Sequence, residues 1–450
     1  MASVPKHERL VLDNGATLIL MPRREVPLIA GQVLLRGGSA ADPPSRPGVA
    51  SLVAALLEKG AGPRNAYAFA ETLEGAGGSF SAVAGPEAIA VRSQFLARDQ
   101  DLMLELLAAT LRAPQLAAEE FEQLRVRQIE FIKAAKDSEP AELLDAYGRA
   151  MLFGGHPYGL PVHGSERSLA QVTHEDARAY YRAQFGADRL IMVLAGDLDT
   201  RRAEATVRAA LATWPRAAVR PTLPPAHTAA QRQVLLVDAP GATQSHFWIG
   251  AAGVERKYSR RAALDLVNTL FGGRFTSLLN AELRIKSGLS YGARSSFMRG
   301  TVAGEFAIRS FVATASTARA IRLAQQALER LHRDGVSEQM LASARAYTLG
   351  QYALGLETAA DWASALADLE FFELGTEDID EYPARLAEVD PTLAAQVIAE
   401  TFPRPQSSTL VVIGDAQRIG EQLAEFGPLV SMRLTDPDFA PGATGDEARP

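Results

Sequence analysis

The feature that most constrains this chain is that one order of residues occurs in it twice. From Val172 a helical stretch over 174–184 leads to Phe185, then to an apolar run over 190–195 and the pair Gly196-Asp197. From Val389 the order returns, with a helical stretch over 392–400, then Phe402, an apolar run over 410–413 and Gly414-Asp415. Val389 follows Val172 by 217 residues, and Phe402 follows Phe185 by the same 217. A second pair lies mid-unit, where 71–80 parallels 281–291 and Tyr291 follows Phe80 by 211 residues. Two similarities in one order and at nearly one offset imply a duplicated unit. The 450 residues therefore read as two homologous halves and not as the three domains that length alone suggests.

Each half carries strands and helices in mixed order. Residues 8–20 place Asp13-Asn14-Gly15 between two apolar alternations, a hairpin signal, and 28–35 continues as a strand. The stretch 49–57 reads as a helix stopped by Lys59-Gly60, a cation and a glycine where a helix C-terminus favours them. A strand is expected over 89–95, and amphipathic helices over 99–111 and 117–134. The fold class is α+β, with two α/β-sandwich halves at 1–217 and 232–432. The proline-rich stretch 216–231 has the composition of a linker, set at 218–231, and 433–450 is expected to be a disordered tail.

Composition excludes several chemistries. With no cysteine the chain has no disulfide, thiolate zinc site, iron–sulfur cluster or cysteine nucleophile. A formal charge of −7 with no Lys/Arg-rich block argues against nucleic acid or an anionic membrane as partner. No apolar run reaches the roughly 20 residues that cross a bilayer, and the first ten residues contain no signal-peptide core. None of the seven histidines has the i, i+4 spacing of a helical zinc site. His156 and His163 share a Gly/Pro-rich loop, where structural hydrogen bonding is a simpler expectation than metal. No nucleophile elbow or phosphate loop is present.

The spacing of Arg284 and Tyr291 does suggest chemistry. Arg284 is expected to end a helix that Ser287-Gly288 breaks, and Tyr291 to start an alternating strand, so both could face one side of the turn. Such a pair can donate hydrogen bonds to a carbonyl or a developing oxyanion. The ordinary alternative is a helix C-terminal arginine and a half-buried strand aromatic.

An ordered set of landmarks gives these residues a context: Leu12-Asp-Asn-Gly, Arg36-Gly-Gly-Ser, Gly48-Val-Ala, His156-Pro-Tyr-Gly, Ala195-Gly-Asp, Phe271-Gly-Gly-Arg-Phe and Leu283-Arg…Ser287-Gly-Leu-Ser-Tyr291. From Glu8 to Ile419 the chain resembles the pitrilysin (M16) family of metallopeptidases, which includes the mitochondrial processing peptidase. The resemblance implies the LuxS-like metallohydrolase fold, with this chain as one half of a clamshell. Active members carry H-x-x-E-H on the helix after Gly48-Val-Ala, two histidines for zinc and a glutamate as general base. Here those positions are Ser51, Ala54 and Ala55, so the motif is degenerate. The third ligand would fall within 122–130, where Glu122 and Glu130 read as solvated helix charges.

The resemblance thus implies no cofactor in this chain and zinc in a homologous partner subunit with an intact H-x-x-E-H. Arg284 and Tyr291 would act in trans on peptide substrates at that partner's site. The alternative it leaves open is a catalytically inactive scaffold or core subunit of a larger assembly. A periplasmic location is expected, since the first strand begins within ten residues of the start, as after leader removal, with a cytoplasmic one as the alternative.

Overall fold

Apolar alternation builds two sheets, and the strand order of the first returns in the second. The computed structural model describes residues 3–219, 222–226 and 233–442. In the first unit the strands are β1 (Glu8–Val11), β2 (Thr17–Pro22), β3 (Leu28–Arg36), β4 (Ser79–Ala84), β5 (Ala88–Leu96) and β6 (Leu190–Gly196), ordered β1-β2-β6-β3-β5-β4. In the second they are β7 (Val234–Asp238), β8 (Gln244–Gly253), β9 (Ala293–Arg299), β10 (Gly304–Ala313), β11 (Thr409–Gly414) and β12 (Leu429–Arg433), ordered β12-β7-β11-β8-β10-β9. Strands β7 to β11 so take the places of β2, β3, β4, β5 and β6. The sequence repeat is a repeat of topology, and the runs at 190–195 and 410–413 are equivalent strands. Only the outermost strand differs: β1 precedes β2 and pairs antiparallel with it, while β12 ends its sheet late in the chain and pairs parallel with β7.

Each sheet is covered by a helix from the other half of the sequence. Three helices matter here: α1 (Val49–Leu56), α2 (Leu144–Phe153) and α3 (Ala359–Phe371). In α3, Trp362, Leu366 and Leu369 recur at i, i+4 and i+7 and form one buried stripe. That stripe packs on β3 and β6 in a core shared with Ile19, Met21, Ile191 and Val193. Helix α2 packs on β8 and β11, the strands equivalent to β3 and β6. The first unit therefore comprises Met1–Glu130, Pro161–Leu223 and Tyr352–Asp380, and the second Phe131–Leu160, Pro224–Gln351 and Glu381–Pro450. Contiguous halves at 1–217 and 232–432 place α2 and α3 each with the wrong sheet, because periodicity shows that a helix face is buried but not what buries it.

The seat of α2 is cut to the shape of one side chain. Trp248 on β8 is fully buried, and its indole fills space left by two glycines. A Cβ on Gly148 of α2 would stand 2.6 Å from the ring, and one on Gly250 would stand 1.9 Å from it. Within the expected tail, the described residues are packed. Leu434 and Phe439 are buried, the Phe439 ring stands edge-on to Tyr147 at 5.0 Å, and the Lys136 ammonium donates to the Asp436 carbonyl at 2.6 Å. One aromatic with a cavity to fill outweighs a composition of Pro, Gly and Asp. Residues 443–450, and 220–221 and 227–231 of the expected linker, lie outside the described residues. Among the described residues no helix is long and apolar enough to cross a membrane.

Gly148→Ala tests the seat. Helix propensity alone favours alanine by about 1 kcal/mol, whereas overpacking a dense core costs about 1–3 kcal/mol. A lower urea midpoint is expected; a higher one would show that the indole moves aside.

Candidate functional site

Helix α1, which carries the degenerate motif, is held by packing and by a borrowed cap. Gly48 precedes it with φ +101°, and a Cβ there would stand 2.9 Å from the Gly164 Cα, so glycine is required at this crossing. Gly48 has no side chain to cap the helix. Asp42 does it instead, accepting from the Gly48 N–H and the Ala50 N–H, each at 2.8 Å. Burial pushes the Asp42 carboxyl up to about 7, against the pull of these backbone donors. Leu52, Val53, Ala54 and Leu56 are buried.

Ser51, Ala54 and Ala55, the positions that the resemblance gives to ligands and base, carry a hydroxyl and two methyls, which do not fit a zinc ion. The Ser51 Oγ lies 2.9 Å from the His163 Nδ1, a pairing that the sequence did not suggest. Among the described residues no group of three or more His, Asp or Glu side chains could hold a metal ion. Glu122 and Glu130 lie exposed on the helix Ala118–Ser138, with Glu122 paired to Arg125 at 2.7 Å. His156 accepts from the Tyr158 N–H at 3.1 Å through Nδ1 and faces the Pro224 carbonyl at 3.0 Å through Nε2, so it is committed structurally.

The Arg–Tyr pair belongs to the second unit, in a segment with unusual local structure. A helical turn at Leu278–Asn280 widens into a π-helical turn at Ala281–Lys286 that contains Arg284. Gly288, at φ +62°, ends it, and β9 begins only at Ala293, so Tyr291 sits in the approach to the strand and not on it. Ser290 pins this approach, its Oγ donating to the Gly292 carbonyl at 2.8 Å and lying 3.0 Å from the Ser310 Oγ. Arg284 donates from Nη1 to the Tyr291 carbonyl at 2.7 Å, and its guanidinium lies 4.6 Å over the Phe275 ring. The two residues are thus joined through the main chain. The Tyr291 ring is 79% exposed, and its hydroxyl has no partner among the described residues.

Both residues border a cleft of about 590 Å³. On the sheet face that carries α2, the cross-strand pairs Arg294–Arg309 and His246–Phe311 line it. Desolvation lowers the pKa of His246. Arg274, Phe275 and Tyr347 also line it. Sequence reasoning missed Arg274, Arg294 and Arg309, which lie on separate elements and share no motif.

Two family descriptions match the chain: "Insulinase (Peptidase family M16)" over residues 28–166 and "Peptidase M16 inactive domain" over 171–347. A Mycobacterium tuberculosis protein named an uncharacterized zinc protease is 28% identical over 326 residues, which is 72% of this chain and 74% of that protein. A Helicobacter pylori protein named a non-peptidase homolog is 24% identical over 329 residues, 72% of this chain and 74% of that protein. Among solved structures, a peptidase M16 inactive domain from Pseudomonas fluorescens shares the fold, with a TM-score of 0.84 at 21% identity over 91% of this chain and 98% of that one.

Removal of the borrowed cap is a measurable perturbation. Asp42→Ala leaves two helix N–H groups without a side-chain acceptor and is expected to cost about 0.5–2 kcal/mol in urea denaturation. A carboxyl with a raised folded-state pKa contributes stability that is full below the unfolded value near 4 and is lost as pH rises through about 7. The gap between the native chain and Asp42→Ala should therefore narrow from about pH 4 to about pH 7. A gap that widens over this range would assign the opposite sign to the shift.

Proposed function

The chain belongs to the M16 peptidase family, and on that premise we propose that it is the zinc-free subunit of a two-chain peptidase. Its partner would be a homologous subunit with an intact H-x-x-E-H, and the substrates peptides. The observation that most supports this reading is the presentation of Tyr291: exposed, with a free hydroxyl, and anchored by Arg284 at the edge of a cleft.

Because α1 does not fit a zinc ion, the hydrolytic chemistry belongs to the partner, and this chain binds and polarises. The Tyr291 hydroxyl donates a hydrogen bond to the scissile carbonyl as negative charge grows on its oxygen. Arg284 fixes the Tyr291 backbone through one nitrogen, leaving its other donors to orient the substrate. Substrate would lie extended on a sheet edge of the partner, so that size and extension select it more than sequence does.

A scaffold role without cleavage is the second reading, favoured by the relative named a non-peptidase homolog. The two readings separate in one experiment. This chain alone is expected to hold no zinc and cleave no peptide, and its mixture with the partner to cleave. In that mixture Tyr291→Phe should lower kcat by about 100- to 1,000-fold with assembly unchanged, the usual effect of losing one oxyanion donor. Wild-type turnover by the mutant would end the catalytic assignment and leave the scaffold.

A further inference from the structure

We infer that the cleft of the second unit selects peptides bearing a carboxylate, which Arg294 binds with the help of Arg274. The inference rests on the reading of this cleft as a peptide site and adds the chemistry that it prefers.

The first ground is a local reversal of charge. The chain as a whole carries −7, yet the residues lining this cleft include four arginines and no aspartate or glutamate. A concave site lined by one sign of charge concentrates the field that an incoming anion meets.

The second ground is how each guanidinium is used. Arg309 is fully engaged: Nε faces Asp145, Nη2 meets Glu305 at 2.9 Å and Nη1 donates to the Ser296 Oγ at 2.8 Å. Glu305 is buried and also takes Arg149 at 2.7 Å, so these charges neutralise one another. Arg284 spends one nitrogen on the Tyr291 carbonyl. Arg274 donates from Nη1 to Ser343, and its buried Nε has no hydrogen-bond partner. Arg294, exposed beside Arg309 in the ladder, has no hydrogen bond or ion pair among the described residues. The positive charge that faces the cleft unpaired therefore comes from Arg294, Arg274 and the free end of Arg284.

The third ground is the match of shapes. A guanidinium presents parallel N–H donors that a carboxylate accepts in pairs, and such charge-assisted bonds are the strong ones. Phe275 and Tyr347 beside these arginines suit the apolar body of a peptide. A peptide offers carboxylates at acidic side chains and at its C-terminus, and this chemistry fits either.

The test uses this chain without a partner, so it stands apart from the catalytic assignment. Fluorescent peptides of about ten residues, identical except for Glu, Gln or Lys at the centre and each made with a free or an amidated C-terminus, are titrated by anisotropy; one charge-assisted contact is worth about tenfold in affinity. Tighter binding of Glu over Gln assigns the side chain, and tighter binding of free over amidated termini assigns the terminal carboxylate. In either case the Lys peptide should bind weakest, and Arg294→Gln should erase the preference. Equal binding of all six peptides, no binding of any, or a preference that survives Arg294→Gln overturns the inference. Loss of kcat in Tyr291→Phe without any carboxylate preference would remove this inference and leave the catalytic reading standing.

Discussion

On each sheet, the helix that packs most extensively comes from the other half of the sequence. The inner faces of β3 and β6 are closed by α3, and those of β8 and β11 by α2, each contributed from across the midpoint of the chain. Removing water from apolar strands is the main favourable term in folding, so the helix that excludes it decides whether a sheet is stable. The duplication has produced two cores that depend on one chain. The fit is specific as well as apolar, since the Trp248 indole needs glycine at 148 in α2 and at 250 in its own strand.

That dependence explains what could be read from sequence and what could not. Local signals were legible: Asp13-Asn14-Gly15 makes the β1–β2 turn with Gly15 at φ +93°, and the paired apolar runs become β6 and β11. That Ser51, Ala54 and Ala55 offer a hydroxyl and two methyls, poor partners for a zinc ion, is legible in the residues themselves. The helix exchange was illegible because the stripe Trp362–Leu366–Leu369 would suit any apolar surface. The packed segment before 443 was illegible because its anchor is a single residue, Phe439. The Arg284–Tyr291 pairing was legible as a spacing but not as a geometry, since a π-helical turn leaves no composition signal.

The cleft of the second unit shows why counting arginines says little without their partners. Arg294 and Arg309 stand opposite each other in adjacent strands, yet one is caged by carboxylates and the other is open. A caged guanidinium rigidifies the floor, and an open one is available to a ligand. The same division of labour separates Phe275, which stacks under Arg284, from Tyr291, which faces solvent with its hydroxyl free.

The packing of α1 bears on which side chains the helix can accept. Asp42 caps it, Gly48 sets it against Gly164, and Ala54 is buried among its neighbours with 1% of its surface exposed. A glutamate at 54 would now enter a space shaped around a methyl group, and a histidine at 51 would displace the contact between Ser51 and His163. The helix is closed to larger or charged side chains by the way it is packed, so three exchanges alone would not build a ligand set on it. Single exchanges toward such a set would each meet a misfit before the set was complete, so the packing of α1 acts as a ratchet against acquiring one.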